Sequence, residues 1–287
     1  MFDRAIVFEQ VSKPFGHKQV LEEVTFSVPT GSIVGLLGKN GVGKTTLMKC
    51  GLGLLKPKKG KITLLGENPW NLSEEKKERL GYVPQTPHFY PWLTVEEVIG
   101  YTLSFYEKWN TTLINQLLEE WELDPKDNVK NLSEGTKQKL SLLLAMGHEP
   151  ELMVLDEPLA SLDPASRRDF LRRILTISTE RELTVLLSTH ITSDLERVAD
   201  TVVILGKKQV LFSGELSELK DTIKCLRVKS QKTLPLEISM AGLLRMEQDG
   251  QRARLYLTSF SDGKKEEVEQ ILQGTAEVED IFLELTR

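Results

Sequence analysis

Nine residues constrain this chain more than any others: Gly38-Lys39-Asn40-Gly41-Val42-Gly43-Lys44-Thr45-Thr46, which read G-x-x-x-x-G-K-T. That is the pattern of a phosphate-binding loop, and it demands a strand before it and a helix after it. Ile33 to Leu37 is a short apolar run of the kind that forms a buried strand. Thr45 to Leu55 carries Leu47, Met48, Leu52 and Leu55 at helical spacing and contains no proline. Motif and context agree, so a Gly-rich turn that matches by accident is a poor account of this stretch.

The chemistry follows from backbone geometry. Glycines let successive N–H groups turn inward and cradle phosphate oxygens, backed by the positive end of the helix dipole. Gly38, Asn40, Gly41, Gly43, Lys44, Thr45 and Thr46 are therefore expected to bind a nucleoside triphosphate. Lys44 would set a point charge on the outer phosphates, and the Thr45 hydroxyl would ligate Mg²⁺.

Composition narrows the class. The net charge of −5 over 287 residues gives no support to a nucleic-acid partner, so none is expected. The basic turn Lys56-Pro57-Lys58-Lys59-Gly60 reads as a solvated loop. Cys50 and Cys225 lie far apart with no CxxC or histidine pattern, as in reduced thiols of a cytosolic protein. No apolar run reaches the roughly 18 residues of a membrane span, and no signal peptide is visible.

Along the chain, 5–12 and 20–28 alternate apolar and polar residues around a Pro-Phe-Gly turn, which predicts antiparallel edge strands with Phe15 at their tip. Strands are also expected at Lys61 to Leu65, Leu80 to Val83, Leu152 to Leu155 and Thr184 to Ser188, with a hairpin over 201–205 and 208–213. Between Thr86 and Asp127 the alternation breaks. Thr94 to Glu107, opened by a Thr94–Glu97 capping box, and Thr112 to Trp121 are consecutive helices. They suggest an inserted helical subdomain at about 86–150. Helices are further expected at Ser73 to Arg79, Ser133 to Met146 and Ala165 to Thr179. From about Glu215, short elements follow: strands at Lys224 to Lys229, Ala253 to Thr258 and Ala276 to Phe282, helices at Leu236 to Met246 and Lys264 to Leu272. The expected fold class is α/β: a phosphate-loop core with a mainly parallel sheet, an antiparallel edge, the helical insertion, and an α+β appendage over 216–287 behind a nucleoside-triphosphate-binding domain over 1–215.

A second constellation stands at strand ends. Asp156-Glu157 closes an apolar run; a carboxylate pair there suits metal-assisted phosphoryl transfer, with Asp156 on Mg²⁺ and Glu157 polarising the attacking water. His190 also follows a strand, placed to bond the terminal phosphate or the water. His17, His88 and His148 lack such a context and read as surface or packing residues.

Taken together, residues 1 to about 215 resemble the nucleotide-binding subunit of ATP-binding cassette transporters. The resemblance implies that Phe15 stacks on adenine, that Gln85 touches Mg²⁺ or water and senses the membrane partner, and that His190 is the switch histidine. Leu132-Ser133-Glu134-Gly135-Thr136 falls at the family's signature, and Ser161-Leu162-Asp163 at the loop beyond the acidic pair. Glu134 stands where the usual pattern has glycine and Thr136 where it has glutamine; Ser133 and Gly135 are retained. By resemblance, Ser133 and Gly135 reach the terminal phosphate of a nucleotide held by an opposite subunit. Glu134 is expected to point away from that phosphate, with weakened dimerisation as its risk.

The function so implied is ATP hydrolysis that drives a transporter through closure of two such subunits, each a second copy or a paralogue, on a transmembrane permease at the cytoplasmic face. The single domain and short tail, ending in Asp280-Ile281-Phe282-Leu283, look most like the branch exporting drugs, antibiotics, peptides or ions. A nutrient importer and a soluble non-transport relative are the alternatives. A GTPase or small-molecule kinase is a further class, but N-K-x-D is absent. In Thr86 to Trp92, three aromatic residues follow Gln85; they either pack between subdomains or, Tyr90 and Trp92 among them, line a groove that receives a short helix of the permease.

Overall fold

The structure, a computed structural model, describes residues 3–230, 240, 243–258, 262–272 and 274–279. In chain order it runs β1 (Arg4–Phe15), β2 (Lys18–Pro29), β3 (Ile33–Leu37), α1 (Lys44–Gly51), β4 (Lys59–Leu64), α2 (Glu74–Glu78), β5 (Leu80–Val83) and α3 (Val95–Leu103). It continues with α4 (Thr111–Glu120), α5 (Glu134–Gly147), β6 (Leu152–Asp156), α6 (Pro164–Arg181), β7 (Thr184–Thr189), α7 (Thr192–Leu195), β8 (Thr201–Leu205) and β9 (Val210–Glu215). The last elements are α8 (Leu216–Thr222), β10 (Ile223–Ser230), β11 (Leu243–Asp249), β12 (Arg252–Thr258), α9 (Asp262–Leu272) and β13 (Gly274–Glu279). Two compact units divide between Ser213 and Gly214.

The first unit holds two sheets. One is ordered β5-β6-β7-β3-β8-β9, with parallel pairing from β5 through to β8. Its central strands β3, β6 and β7 are buried at every residue, which explains their unbroken apolar runs: a parallel strand is covered on both faces. The other sheet, β2-β1-β4, is antiparallel. A core of Phe8, Phe26, Val28, Leu36, Leu47, Met48 and Leu64, among others, joins it to the parallel sheet and α1, with Phe8 and Phe26 stacked at 4.6 Å.

Register, more than any side chain, places the chemistry. Leu37 pairs with Thr189, Asp156 with Ser188, and Val83 with Leu155. The ends of β3, β7, β6 and β5 therefore finish on nearly one transverse line, and the loops holding Gly38, His190, Glu157 and Gln85 leave from the same edge. Ligands of open α/β sheets bind there.

Between β5 and β6 the chain is helical, with α3, α4 and α5. The capping box forms at α3: Thr94 N–H donates to Glu97 Oε2 at 2.8 Å, and Glu97 N–H donates to Thr94 Oγ1 at 3.3 Å.

In the second unit an antiparallel sheet, ordered β11-β12-β10-β13, packs Leu226, Val228, Ala253, Leu255 and Leu257 against Val268 and Leu272 of α9. Here one expectation fails. The helix expected at Leu236 to Met246 gives way over Leu243–Met246 to β11, which pairs Met246 with Leu255. Cross-strand pairing over an apolar layer outweighs a short helical spacing that fits either period. Positions 236–239 and 241–242, and 280–283 of the tail, lie outside the described residues. The short helices α7 and α8 were not anticipated.

Candidate nucleotide site

The loop after β3 turns through left-handed backbone at Gly41 (φ 77°) and at Gly43 (φ 116°), the residue before α1. A side chain is excluded at Gly43 on two counts: the conformation itself, and Leu21 and Val20, which would lie 3.0 and 3.1 Å from an added Cβ. At Gly38 an added Cβ would lie 2.7 Å from the Leu205 carbonyl oxygen. Such a backbone cradle suits phosphate, and Asn40 and Gly41 are exposed on it while Thr45 and Thr46 are half-buried.

Lys44 turns back beneath the loop. Its Nζ donates to the Gly38 carbonyl at 2.6 Å and to the Lys39 carbonyl at 3.3 Å, and lies 2.9 Å from Glu157 Oε1. The last contact is an ion pair without hydrogen-bond alignment. Both side chains are 5% exposed. A buried pair of opposite charges is costly to part when one partner is removed and no other charge replaces it.

Glu157 takes a left-handed conformation (φ 47°), unusual for a residue with a side chain. Its carboxylate accepts from His190 Nδ1 at 2.8 Å, which places the proton of a neutral ring on Nδ1 and leaves Nε2 as the acceptor. Its N–H donates to Ser188 Oγ at 2.9 Å, and the same hydroxyl donates to Asp156 Oδ1 at 2.8 Å. Asp156 is fully buried, and its Oδ2 has no hydrogen-bond partner. An ionised oxygen so placed is expensive unless a cation answers it, which fits Mg²⁺ as an oxygen-loving ion. The residues present thus fit both a phosphate chain and a divalent cation.

The remaining predicted residues lie at greater remove. Phe15 ends β1 at the exposed hairpin tip, with Lys13 Nζ 5.3 Å from its ring centroid. Gln85 is exposed on the loop after β5, and the contacts joining Lys44, Glu157 and His190 do not include it. Ser133 caps α5: its Oγ accepts from Thr136 N–H at 3.1 Å and lies 2.7 Å from Thr136 Oγ1. Glu134 is 64% exposed and paired with Lys137 Nζ at 2.9 Å. Gly135 sits so close to the loop after Glu157 that an added Cβ would lie 2.7 Å from the Ser161 carbonyl oxygen.

Asp163 caps α6, accepting from the N–H groups of Ala165 and Ser166 at 2.9 and 3.0 Å. The Ser166 hydroxyl, followed by those N–H groups, holds its carboxyl down to about 2. Arg167 on α6 reaches two neighbours: Nη2 donates to the Leu159 carbonyl at 3.2 Å and Nη1 lies 3.5 Å from Asp194 Oδ2.

Two features escaped the sequence reading. Ser188 reads as the polar end of a buried strand; the signal was a hydroxyl two positions before His190 in an otherwise apolar run. The other is the extent of the aromatic surface. Trp92 (69% exposed) stacks on Tyr90 at 5.1 Å, Tyr90 meets Tyr101 at 6.1 Å, and Tyr101 meets Phe105 (62% exposed) at 5.1 Å. Tyr101 and Phe105 are four apart, one helical turn, which was the available sign.

The chain is similar in sequence and fold to known proteins. The family profile described as ABC transporter matches residues 21–160. The Nod factor export ATP-binding protein I of Rhizobium etli is 34% identical over all of this chain and 94% of its own length. The bacitracin transport ATP-binding protein BcrA of Bacillus licheniformis is 34% identical over 73% of this chain and 69% of its own. A solved structure described as the ATP binding subunit of an ABC transporter superposes with a TM-score of 0.69 at 32% identity, covering 76% of this chain and 92% of that one. A dimeric ATP-binding cassette in a post-hydrolysis state, bound to ADP and Pi, shares the fold with a TM-score of 0.66 at 20% identity, covering 74% of this chain and 98% of that one.

Proposed function

The chain belongs to the ATP-binding cassette transporter family as an ATP-binding protein, and on that premise we propose that it hydrolyses ATP to ADP and phosphate to drive an exporter. One observation carries the reading: Lys44, Glu157, His190 and Asp156 converge on a single sheet edge, linked by contacts of 2.8 to 2.9 Å. One relative's name, Nod factor export, supports the outward direction, and another's, bacitracin transport, supports a role in transport.

Each residue has a task in this reading. The loop from Gly38 to Thr46 binds the phosphates, with Lys44 exchanging Glu157 for phosphate oxygens. Phe15, projecting from its hairpin, stacks on adenine. Asp156 and the Thr45 hydroxyl hold Mg²⁺, with Gln85 joining from its loop; the ion supplies charge neutralisation on the phosphates when bound. Glu157 orients the attacking water and accepts its proton, and His190 holds the Glu157 carboxylate in place.

Ser133 and Gly135 serve the nucleotide of an opposing subunit, a second copy or a paralogue, and Asp163 borders that interface. Glu134 sits beside this surface with Lys137 answering its charge. The exposed rings of Tyr90, Trp92, Tyr101 and Phe105 receive an apolar helix of a transmembrane permease. No helix among the described residues is long and apolar enough to cross a membrane, so membrane association at the cytoplasmic face comes through that permease.

The test is co-purification with a polytopic membrane protein, followed by vesicle transport and ATPase assays. Transport that stops when Glu157 is replaced by Gln supports the reading. ATP-independent transport overturns it.

A further inference from the structure

Ser188 lies at the buried end of β7, with no exposed surface, two residues before His190. Its hydroxyl makes two hydrogen bonds of opposite sense. It donates to Asp156 Oδ1 at 2.8 Å and accepts from Glu157 N–H at 2.9 Å. Those two residues are adjacent in sequence but have different proposed tasks, and one oxygen from the neighbouring strand touches both.

Each bond has a local consequence. Glu157 is at φ 47°, a strained conformation for a residue with a side chain that persists only where its surroundings hold it. The Ser188 oxygen fixes the N–H of that residue, and with it the direction in which the carboxylate leaves the backbone. On Asp156 the hydroxyl proton engages Oδ1 only. Oδ2, buried and without a hydrogen-bond partner, is left as the free oxygen of the pair. Alanine at 188 would strand a buried N–H and release Asp156 to turn.

We infer that Ser188 is a positioning residue that sets the metal-facing oxygen of Asp156 and the base Glu157 with a single hydroxyl. This rests on the proposed roles of Asp156 and Glu157. Outer partners of metal ligands typically change metal affinity or activity by about 10–100-fold. A hydroxyl that serves both groups should move both readouts together.

The experiment uses the full chain with Ser188→Ala, Ser188→Cys, Ser188→Thr and Asp156→Asn. Cysteine fills the same space with a poor donor and acceptor, whereas threonine keeps the hydroxyl. Mn²⁺ binding in the presence of a non-hydrolysable ATP analogue is followed by electron paramagnetic resonance, beside kcat and KM for ATP and the melting temperature. Alanine and cysteine should each weaken Mn²⁺ binding and lower kcat by about 10-fold or more, with KM for ATP and binding of metal-free nucleotide little changed. Threonine should restore both. If alanine fails to fold, cysteine carries the test. Mn²⁺ affinity and kcat at wild-type values in a folded cysteine variant overturn the inference, as does a loss confined to melting temperature. If Asp156→Asn also leaves Mn²⁺ binding unchanged, the assignment of Asp156 fails instead.

Discussion

Lys44 Nζ stands 2.9 Å from Glu157 Oε1, so the ammonium suited to phosphate and the carboxylate suited to water neutralise each other inside the protein. Neither is exposed enough for solvent to screen the pair appreciably. In the proposed function, phosphate oxygens replace the carboxylate on Lys44, and that exchange frees Glu157 to face water, so that binding and activation of the base become two sides of one displacement.

Replacing Glu157 by Gln keeps the shape and removes the charge. ATP hydrolysis should fall by on the order of 100-fold or more, the range for loss of a general base. Because Lys44 then has only the Gly38 and Lys39 carbonyls to hold it, ATP should bind more tightly than to the wild type. Size-exclusion chromatography should find an ATP-dependent dimer, and calorimetry the tighter binding. Wild-type turnover would remove Glu157 from its role.

The four-ring surface yields a separable outcome. Tyr90→Ala with Trp92→Ala, or Tyr101→Ala with Phe105→Ala, should reduce transport by about 10-fold or more while basal ATPase stays near wild type. Tyr90 and Trp92 lie before α3, Tyr101 on it and Phe105 just after it, all in the helical insertion. Vesicle transport measured beside ATPase in detergent separates the two effects, and unimpaired transport in both double variants would exclude this face as the permease contact.

Gly135→Ala tests the contact with Ser161. The new Cβ meets a main-chain oxygen at 2.7 Å, which no rotamer change relieves. The loop between Glu157 and Asp163 must shift, so ATP-dependent dimerisation should weaken by about 10-fold or more while binding of ATP to the single chain persists. Analytical ultracentrifugation with the Glu157→Gln background would read it; an undiminished dimer would mean that the loop yields freely.

His148 supplies a pH dependence of stability. It stacks on Tyr106 at 4.0 Å and donates from Nε2 to the Leu80 carbonyl at 2.9 Å. Burial lowers its pKa from 6.5, against the raising effect of main-chain bonds to Leu80 and Leu144. Below pH 6.5 the unfolded chain takes up a proton that the folded chain resists, so folding stability falls as pH drops from 6.5 until the lowered folded pKa is passed. His148→Gln should flatten the urea-unfolding midpoint between pH 7 and about pH 5. A slope unchanged by the substitution would assign it to other groups.

Much of this molecule is legible in its residues, for physical reasons that differ from place to place. The apolar runs of β3, β6 and β7 announce buried parallel strands, and the glycines around Lys44 announce a backbone turn that few other sequences permit. Thr94 and Glu97 declare a helix start through a reciprocal hydrogen bond that is wholly local. Ser188 is different. Its role depends on which strand lies beside β7 and in what register, and the residues around it in sequence carry no trace of Asp156. Leu243–Met246 misled because apolar residues at close spacing satisfy both periods, and only the pairing with β12 decides between them.

The transverse alignment of strand ends has a mechanical consequence. Hydrogen-bond ladders advance in whole residues, so the spacing among Gly38, Asp156, Ser188 and His190 is quantised in steps of about 3.3 Å. Apolar substitutions in the core change volume and stability without moving this ruler, whereas a slip of one residue along β7 would turn Ser188 to the opposite face and carry His190 past Glu157. Drift in the interior is thereby uncoupled from the geometry at the rim. The aromatic surface from Tyr90 to Phe105 hangs from a segment outside the ladders, and its position is not fixed in such steps.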